Sequence, residues 1–219
     1  MASVPLVVIG GGGHAKVVLD VLRLDARFRI VGVVDPARIG GQVLEFPVLG
    51  GDEILPALRA RGVAAAFVAI GDNRTRQRIG RDLGQLGFTL PAIVHPTAIV
   101  SPSARIDAGS VVMAGAKIGP DAWIGELAIV NTGAIVEHDV QLGRAAHVAP
   151  GCSLAGCVQV GERALLGIGS VARPDIRIGD DAVVGAGSAV VADVKAGQTV
   201  AGVPARLLTI KRAINDVAA

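Results

Sequence analysis

"KIGPDAWIGELAIVNTGAIVEHDVQLGRAAHV", residues 117–148, puts a branched aliphatic at every sixth position: Ile118, Ile124, Val130, Val136, Leu142 and Val148. The same step continues in both directions from Val94 to Val190, and Ala172 is its one member that is not a branched aliphatic. A small residue commonly stands two places earlier, as at Ala98, Ala104, Ser110, Ala116, Ala122, Ala128 and Ala134. Glycine often follows directly, as at Gly119, Gly125, Gly143, Gly161, Gly167, Gly179 and Gly185. An amphipathic helix repeats near ~3.6 residues and a half-buried strand alternates singly. Neither keeps a phase of six across residues 94–190.

Such a period marks a parallel β-helix, in which short strands wind around a prism and one aliphatic per hexad points inward. Three strands per turn give an eighteen-residue coil, and Gly115, Gly133, Gly151, Gly169 and Gly187 are each 18 apart. Stacked at one corner, they would serve a sharp turn at positive φ. Periodicity does not set the hand of the coil, and parallel crossovers are normally right-handed.

The first part of the chain has a different grammar. "PLVVIG" reads as a strand, and "GGGGHAKVVLDVLRL" opens with glycines and continues at helical spacing through Val17, Val18, Val21 and Leu22. "RIVGVVD" and "AAAFVAIGD" read as further strands, "GDEILPALRARG" and "NRTRQRIGRDLGQLG" as helices. This alternation predicts a small parallel sheet covered by helices, half of a dinucleotide fold. The expected organisation is a βαβαβα domain over 1–92, a β-helix over 93–200 and a C-terminal segment over 201–219.

Composition narrows the partners. The 219 residues carry a formal net charge of +2, no Tyr, one Trp and four Phe, which supplies neither a phosphate-tracking patch nor a base-stacking platform. Nucleic acid is not an expected partner. The chain is 51% hydrophobic, yet its apolar groups are short and broken by Gly, Asp and Pro, so no membrane insertion is expected. The N-terminus runs from an apolar strand into glycines and does not read as a signal peptide, so the expectation is a cytoplasmic protein with Cys152 and Cys157 reduced.

The hexads, together with "VEHD", "LLGIGS", "VVGAGS" and "AGVPARLL", resemble bacterial hexapeptide acyltransferases. "VVIGGGGHAKVVLDVL" and "VAIGDNRTR" narrow the resemblance to enzymes that acetylate nucleotide-activated amino sugars, the bacillosamine and perosamine N-acetyltransferases, with a sialic acid O-acetyltransferase branch nearby. It implies a left-handed β-helix, a homotrimer with active sites between subunits, acetyl-CoA in the grooves between them, and the nucleotide-diphospho-amino sugar on the N-terminal domain. No metal is implied. The unbroken phase leaves no room for the protruding loop that some hexapeptide transferases insert, which suits the amino-sugar branch.

Acetyl transfer to a sugar amine needs a base, an oxyanion donor and a groove for the pantetheine arm. A histidine of pKa near ~6.5 suits the first task. His138 follows the inward Val136 by two places, where neighbouring coils carry Pro120 and Gly156, and is the candidate base. Glu137 and Asp139 both qualify by proximity to orient it. The resemblance favours Asp139, although the bacillosamine branch usually has the longer Glu there. Gly156 is one coil from His138 and adjacent strands lie about 4.8 Å apart, so its amide is the candidate oxyanion donor, an assignment the resemblance supports. His147 matches a family position near the thioester.

"GGGGHAK" between strand and helix offers backbone amides to a phosphate. The candidate substrate residues are Gly10, Gly12, Gly13, His14 and Lys16, with Asp35 ending the second strand and Asp72 and Asn73 following the third. An NAD site competes, but half a dinucleotide fold suits a mononucleotide better. Gly167, Gly169, Gly185, Ala186 and Gly187 are candidates for the pantetheine groove, although corners of a solenoid need glycine anyway. Gly202, Pro204 and Arg206 belong to the closing segment that resembles the family's CoA site.

Three other readings remain open in the sequence. The same machinery could acetylate a sugar hydroxyl. Metal-dependent hydration also occurs on this coil, but it needs three converging histidines, and His14, His95, His138 and His147 lack the paired spacing. A non-enzymatic nucleotide-sugar sensor is the third.

Overall fold

The structure is a computed structural model that describes residues 3–208. The chain begins with β1 (Val4–Ile9), α1 (Gly13–Arg23), β2 (Phe28–Val34), β3 (Gln42–Val43), β4 (Phe46–Gly50), α2 (Leu55–Ala60), β5 (Ala65–Val68) and α3 (Asn73–Gln85). These strands form one sheet of order β3-β4-β2-β1-β5, in which β1 pairs parallel with β2 and β5. Sequence reading found β1, β2 and β5 and missed the antiparallel hairpin β3–β4. Its loop is Leu44–Glu45, with Leu44 at φ +53 and none of the Asn-Gly or Asp-Gly chemistry that announces a hairpin. One residue of α1 also differs from expectation. Val17 faces solvent, while Ala15, Val18, Leu19, Val21 and Leu22 are buried against the sheet.

From Ile93–Val94 to Ala189–Val190 every hexad forms a two-residue strand. The register steps by eighteen residues, as in Lys117↔Ile135↔Ser153, so three strands complete one coil. They build three sheets, parallel throughout the coils, the third ending in an antiparallel pair of Thr199–Ala201 with Arg206–Leu207. The first face includes Ile99–Val100, Lys117–Ile118, Ile135–Val136, Ser153–Leu154 and Val171–Ala172. The second runs from Arg105–Ile106 to Arg177–Ile178 through Gln141–Leu142 and Gln159–Val160, and the third from Ile93–Val94 through His147–Val148 to the end of the prism.

The hexad aliphatics supply the second residue of each strand and point inward. From Val112 to Val190 all are buried, and the second inward column is the small residue two places earlier, such as Ala116, Ala134, Ala164 and Cys152. Burying each large aliphatic contributes about 1.5–3 kcal/mol, so the prism is held by the repeat itself. The stacked glycines from Gly115 to Gly187 turn at φ between +65 and +68.

The small sheet packs on the third face. Val111, Met113 and Ile129 from that face share a core with Val18, Leu22 and Phe67. No helix among the described residues is long and apolar enough to cross a membrane. The expected C-terminal segment is described as far as Leu208, with residues 209–219 outside the described residues.

Candidate active site

The interrupted hexad turns the corner between the first and second faces. Val136 points into the prism, Glu137, His138 and Asp139 are exposed, and Val140 returns to the core. Asp139 adopts φ +57, and the same corner is built by Asp121, Cys157 and Asp175 at +58, +63 and +60. Aspartate tolerates this left-handed conformation better than most residues. The turn brings its carboxylate beside the imidazole, where His138 Nδ1 donates to Asp139 Oδ2 at 2.8 Å. That choice of tautomer leaves the lone pair on Nε2. Among the described residues it is Asp139, not Glu137, that bonds the ring. The bond raises the His138 pKa, and the charges of Asp139, Glu137 and Asp175 raise it further.

Gly156 lies one coil on. It is buried, and its N–H finds no acceptor among the described residues. A Cβ at this position would overlap Cε1 and Nε2 of His138, so the imidazole lies directly against the Gly156 backbone. The general base candidate and an unengaged amide donor therefore meet at one place.

His147 stands on the third face, away from that corner. Asn131 Oδ1 accepts from the Thr132 N–H at 2.8 Å, which turns the amide nitrogen to His147 Nε2 at 3.1 Å. Nε2 thus accepts and Nδ1 holds the proton. Its ring centroid is 6.4 Å from that of His14. Burial, followed by the charges of Arg76 and His14, holds the His147 pKa down to about 3. Burial and Arg76 bring His14 to about 4. Both rings are neutral, and His14 Nε2 is buried without a hydrogen-bond partner among the described residues. Asn131 was not singled out from the sequence. The available signal was an amide directly after the inward Val130, a place where neighbouring coils carry Met113 and Ala149.

Arg76 of α3 is the second residue the sequence reading missed. Only 1% exposed, it donates to the carbonyls of Leu127 and Ala145 in the prism at 2.8 Å each, and to Ile70, Gly71 and the Asn73 side chain. It joins the two parts of the chain. Its place on the same helical stripe as Ile79 and Leu83 was the clue. Asn73 is engaged in the same clamp, since Nδ2 donates to the Arg163 and Ala164 carbonyls. Asp72 caps α3 by accepting from the Thr75 N–H at 2.8 Å. Neither residue is among those that line the pocket at the glycine loop. Lys16 is exposed and does not line it either.

The pocket itself, about 470 Å³, opens at the carboxyl ends of β1, β2 and β5. Gly10, Gly11, Gly12, Gly13 and His14 form one wall, with Asp35, Asp52, Ile70 and Arg78 around it. Helix α1 starts at Gly13 without a side-chain cap, so its first amides are free for an anion. Asp35 orders the loop by accepting from the N–H groups of Gly11 at 2.6 Å and Ala37 at 2.9 Å. The Asp52 carbonyl accepts from the Leu55 N–H, while its side-chain carboxylate has no hydrogen-bond partner among the described residues. A larger cleft of about 690 Å³ between α3 and the prism contains none of the expected site residues.

The glycines of the last coils have structural reasons of their own. A Cβ on Gly167 would strike the backbone of Val184 and Ala186, and one on Gly185 would strike Ala201. Gly169 and Gly187 occupy the positive-φ corner, with Ala186 exposed between Gly185 and Gly187. Gly202, Pro204 and Arg206 are exposed at the end of the prism, with Arg206 bonded to the Ala205 carbonyl. His95 accepts from the Thr97 N–H at 3.0 Å and shapes the turn at the domain junction.

Residues 5–83 match the PglD N-terminal domain family. The chain is 37% identical over 108 residues to the UDP-N-acetylbacillosamine N-acetyltransferase of Bacillus subtilis, a match spanning 49% of this chain and half of that relative. A histidine-to-asparagine variant of perosamine N-acetyltransferase from Caulobacter crescentus, solved with CoA and GDP-perosamine, is 49% identical with a TM-score of 0.91, covering 93% of this chain and 96% of that one. The acetyltransferase domain of PglB from Neisseria gonorrhoeae, solved with acetyl coenzyme A, is 40% identical with a TM-score of 0.89, covering 94% and 100%. The expected architecture, an α/β domain followed by a left-handed β-helix, is the fold of this chain.

Proposed function

Because the chain belongs to the family of hexapeptide N-acetyltransferases that act on nucleotide-linked amino sugars, we propose that it transfers acetyl from acetyl-CoA to the 4-amino group of a GDP-linked 4-amino-4,6-dideoxy sugar. The observation that carries the reading is the His138 imidazole, oriented by Asp139 and lying against the free Gly156 amide.

The amine nitrogen attacks the thioester carbonyl and gives up a proton to His138 Nε2. The imidazolium that forms is stabilised by Asp139. The Gly156 N–H donates to the oxyanion of the tetrahedral intermediate, a contribution of about 10²–10³ in rate for one such donor. As the C–S bond breaks, the imidazolium returns the proton to the departing sulfur. The products are the acetamido sugar and CoA, and no proton is left unaccounted for.

The diphosphate binds at the glycine loop and α1 N-terminus. For the base, Asp52 offers the unengaged carboxylate in that pocket. Guanine presents an N–H and an exocyclic amine side by side to such a group, whereas uracil presents one N–H. The 49% identical relative solved with GDP-perosamine supports the same choice.

The proposed active unit is a homotrimer, because one chain holds only half of the site. The pocket lies on the side of the prism where His14 meets His147 on the third face, whereas His138 stands where the first and second faces meet. A sugar in the pocket thus meets the His138 of a neighbour. Ile99 and Val171, 65% and 45% exposed on the first face, supply apolar surface for that contact. A cytoplasmic location, supported by two free cysteines, completes the reading.

The test is acetyl transfer to GDP- and UDP-linked 4-amino sugars and to a sugar hydroxyl, with products identified by mass spectrometry. The expected result is N-acetylation with GDP-perosamine preferred at least about tenfold. Preferential O-acetylation, or no transfer, would overturn it.

A further inference from the structure

We propose that the catalytic corner is also an inhibitory site for a soft divalent cation, zinc above all, held by His138, Asp139 and Cys157. The inference rests on the reading of His138 as the base and concerns how that base is switched off. Cys157 takes no part in the proposed chemistry. One coil beyond Asp139 in the same corner column, it sits where Asp121, Asp139 and Asp175 stand on the other coils. Its N–H donates to the His138 carbonyl at 3.0 Å, which locks the two corners in register.

One donor atom from each of the three side chains lies within 4.8 Å of the other two, and all three residues are exposed. A tetrahedral zinc with bonds of about 2.0–2.3 Å separates its ligands by roughly 3.3–3.7 Å, so rotation of exposed side chains by on the order of 1 Å closes the set. An imidazole, a thiolate and a carboxylate form the mixed N, S, O set that zinc takes, and a water would complete it. Glu137 and Asp175 add negative charge around the imidazole, which favours a dication over a monovalent ion.

Binding inhibits whichever ring nitrogen coordinates. A metal on Nε2 occupies the lone pair that would accept the substrate proton. A metal on Nδ1 displaces Asp139 and moves the ring proton to Nε2, with the same result. Desolvation first, and then the charges of Asp175 and Asp139, raise the Cys157 pKa. Coordination therefore releases the thiol proton to solvent as the metal–sulfur bond forms.

The experiment titrates the full-length enzyme with chelator-buffered Zn²⁺ during turnover and, separately, with Co²⁺ followed by absorption. The variants are Cys157→Asn, a residue type that tolerates left-handed φ, and Cys157→Ala. Expected are zinc inhibition reversed by chelator, a thiolate-to-cobalt charge-transfer band in the wild type, and loss of that band in both variants. Basal turnover should persist in the variants while the inhibitory zinc concentration rises more than about tenfold, and Cys152 remains in both as an internal control. Equal zinc sensitivity in wild type and variants, or a cobalt spectrum without the band, overturns the proposal. If instead the chain transfers no acetyl group, the functional reading fails while the cobalt spectrum still reports on the site.

Discussion

Gly156→Ala separates the geometry of the base from the stability of the fold. The added Cβ would overlap Nε2 and Cε1 of His138, the reacting edge of the ring. Ordinary contact is about 3.5 Å, so the imidazole must retreat on the order of 1 Å. It has somewhere to go, because the His138 side chain is 56% exposed. The stability change is therefore expected below about 0.5 kcal/mol, under about 2 °C in Tm for a chain of this size. The reacting geometry has no such latitude. A misplacement of about 1 Å can cost roughly 10²-fold, equivalent to about 2.7 kcal/mol in the barrier. The Gly156 N–H survives the substitution, so the loss should appear in kcat and track the displaced ring. The assay is CoA release at saturating acetyl-CoA and amino sugar, beside thermal unfolding. A kcat within about threefold of wild type would refute the placement of the base, and a Tm loss above about 5 °C would mean that this glycine serves the coil.

The reaction needs neutral His138, and the hydrogen bond to Asp139 raises its pKa. kcat/KM should therefore climb with pH about a midpoint above ~6.5, and Asp139→Asn should move that midpoint down while lowering kcat; a midpoint at or below ~6.5 in the wild type contradicts this. Asp52→Asn should cost on the order of 10–100-fold in kcat/KM for the GDP sugar and far less for the UDP sugar, and equal losses would remove Asp52 from base recognition. His14 and His147 have folded pKa values of about 4 and about 3, below the unfolded value of ~6.5. Between ~6.5 and ~4 the unfolded chain binds the extra protons, so stability falls with falling pH by up to about 1.4 kcal/mol per unit per histidine and is unaffected by these groups above ~6.5. Urea midpoints at pH 7 and pH 5 check this, and equal midpoints would contradict it.

The prism was legible because its force is periodic. One aliphatic per hexad and one glycine per coil recur in the sequence with the same spacing at which they stack in space. The candidate base and its candidate orienting acids were legible for a related reason, since three ionisable residues interrupt an apolar repeat at Glu137, His138 and Asp139. Spacing left Glu137 and Asp139 equivalent. What separates them is the left-handed φ of Asp139, which turns its carboxylate onto Nδ1. Arg76 and Asn131 were harder to see because their partners are distant backbone carbonyls or a histidine 16 residues away. Asn73 is a different case. A polar residue after a strand end reads equally as a ligand contact or a turn residue, and here its side chain is bonded to carbonyls 90 and 91 residues away. Nor could the glycines of the last coils be divided by sequence between groove and coil, because both uses select the same residue.

Single-turnover acetyl transfer by His138→Asn, with acetyl-CoA and GDP-perosamine both bound, tests the central claim most directly. Asparagine keeps a polar side chain at an exposed corner, so folding and binding of both substrates should persist and be checked by calorimetry. The account predicts a fall in the transfer rate of about 10²–10⁴-fold with both affinities retained. Transfer within about threefold of the wild-type rate would contradict it, because the proton would then be leaving the amine by another route.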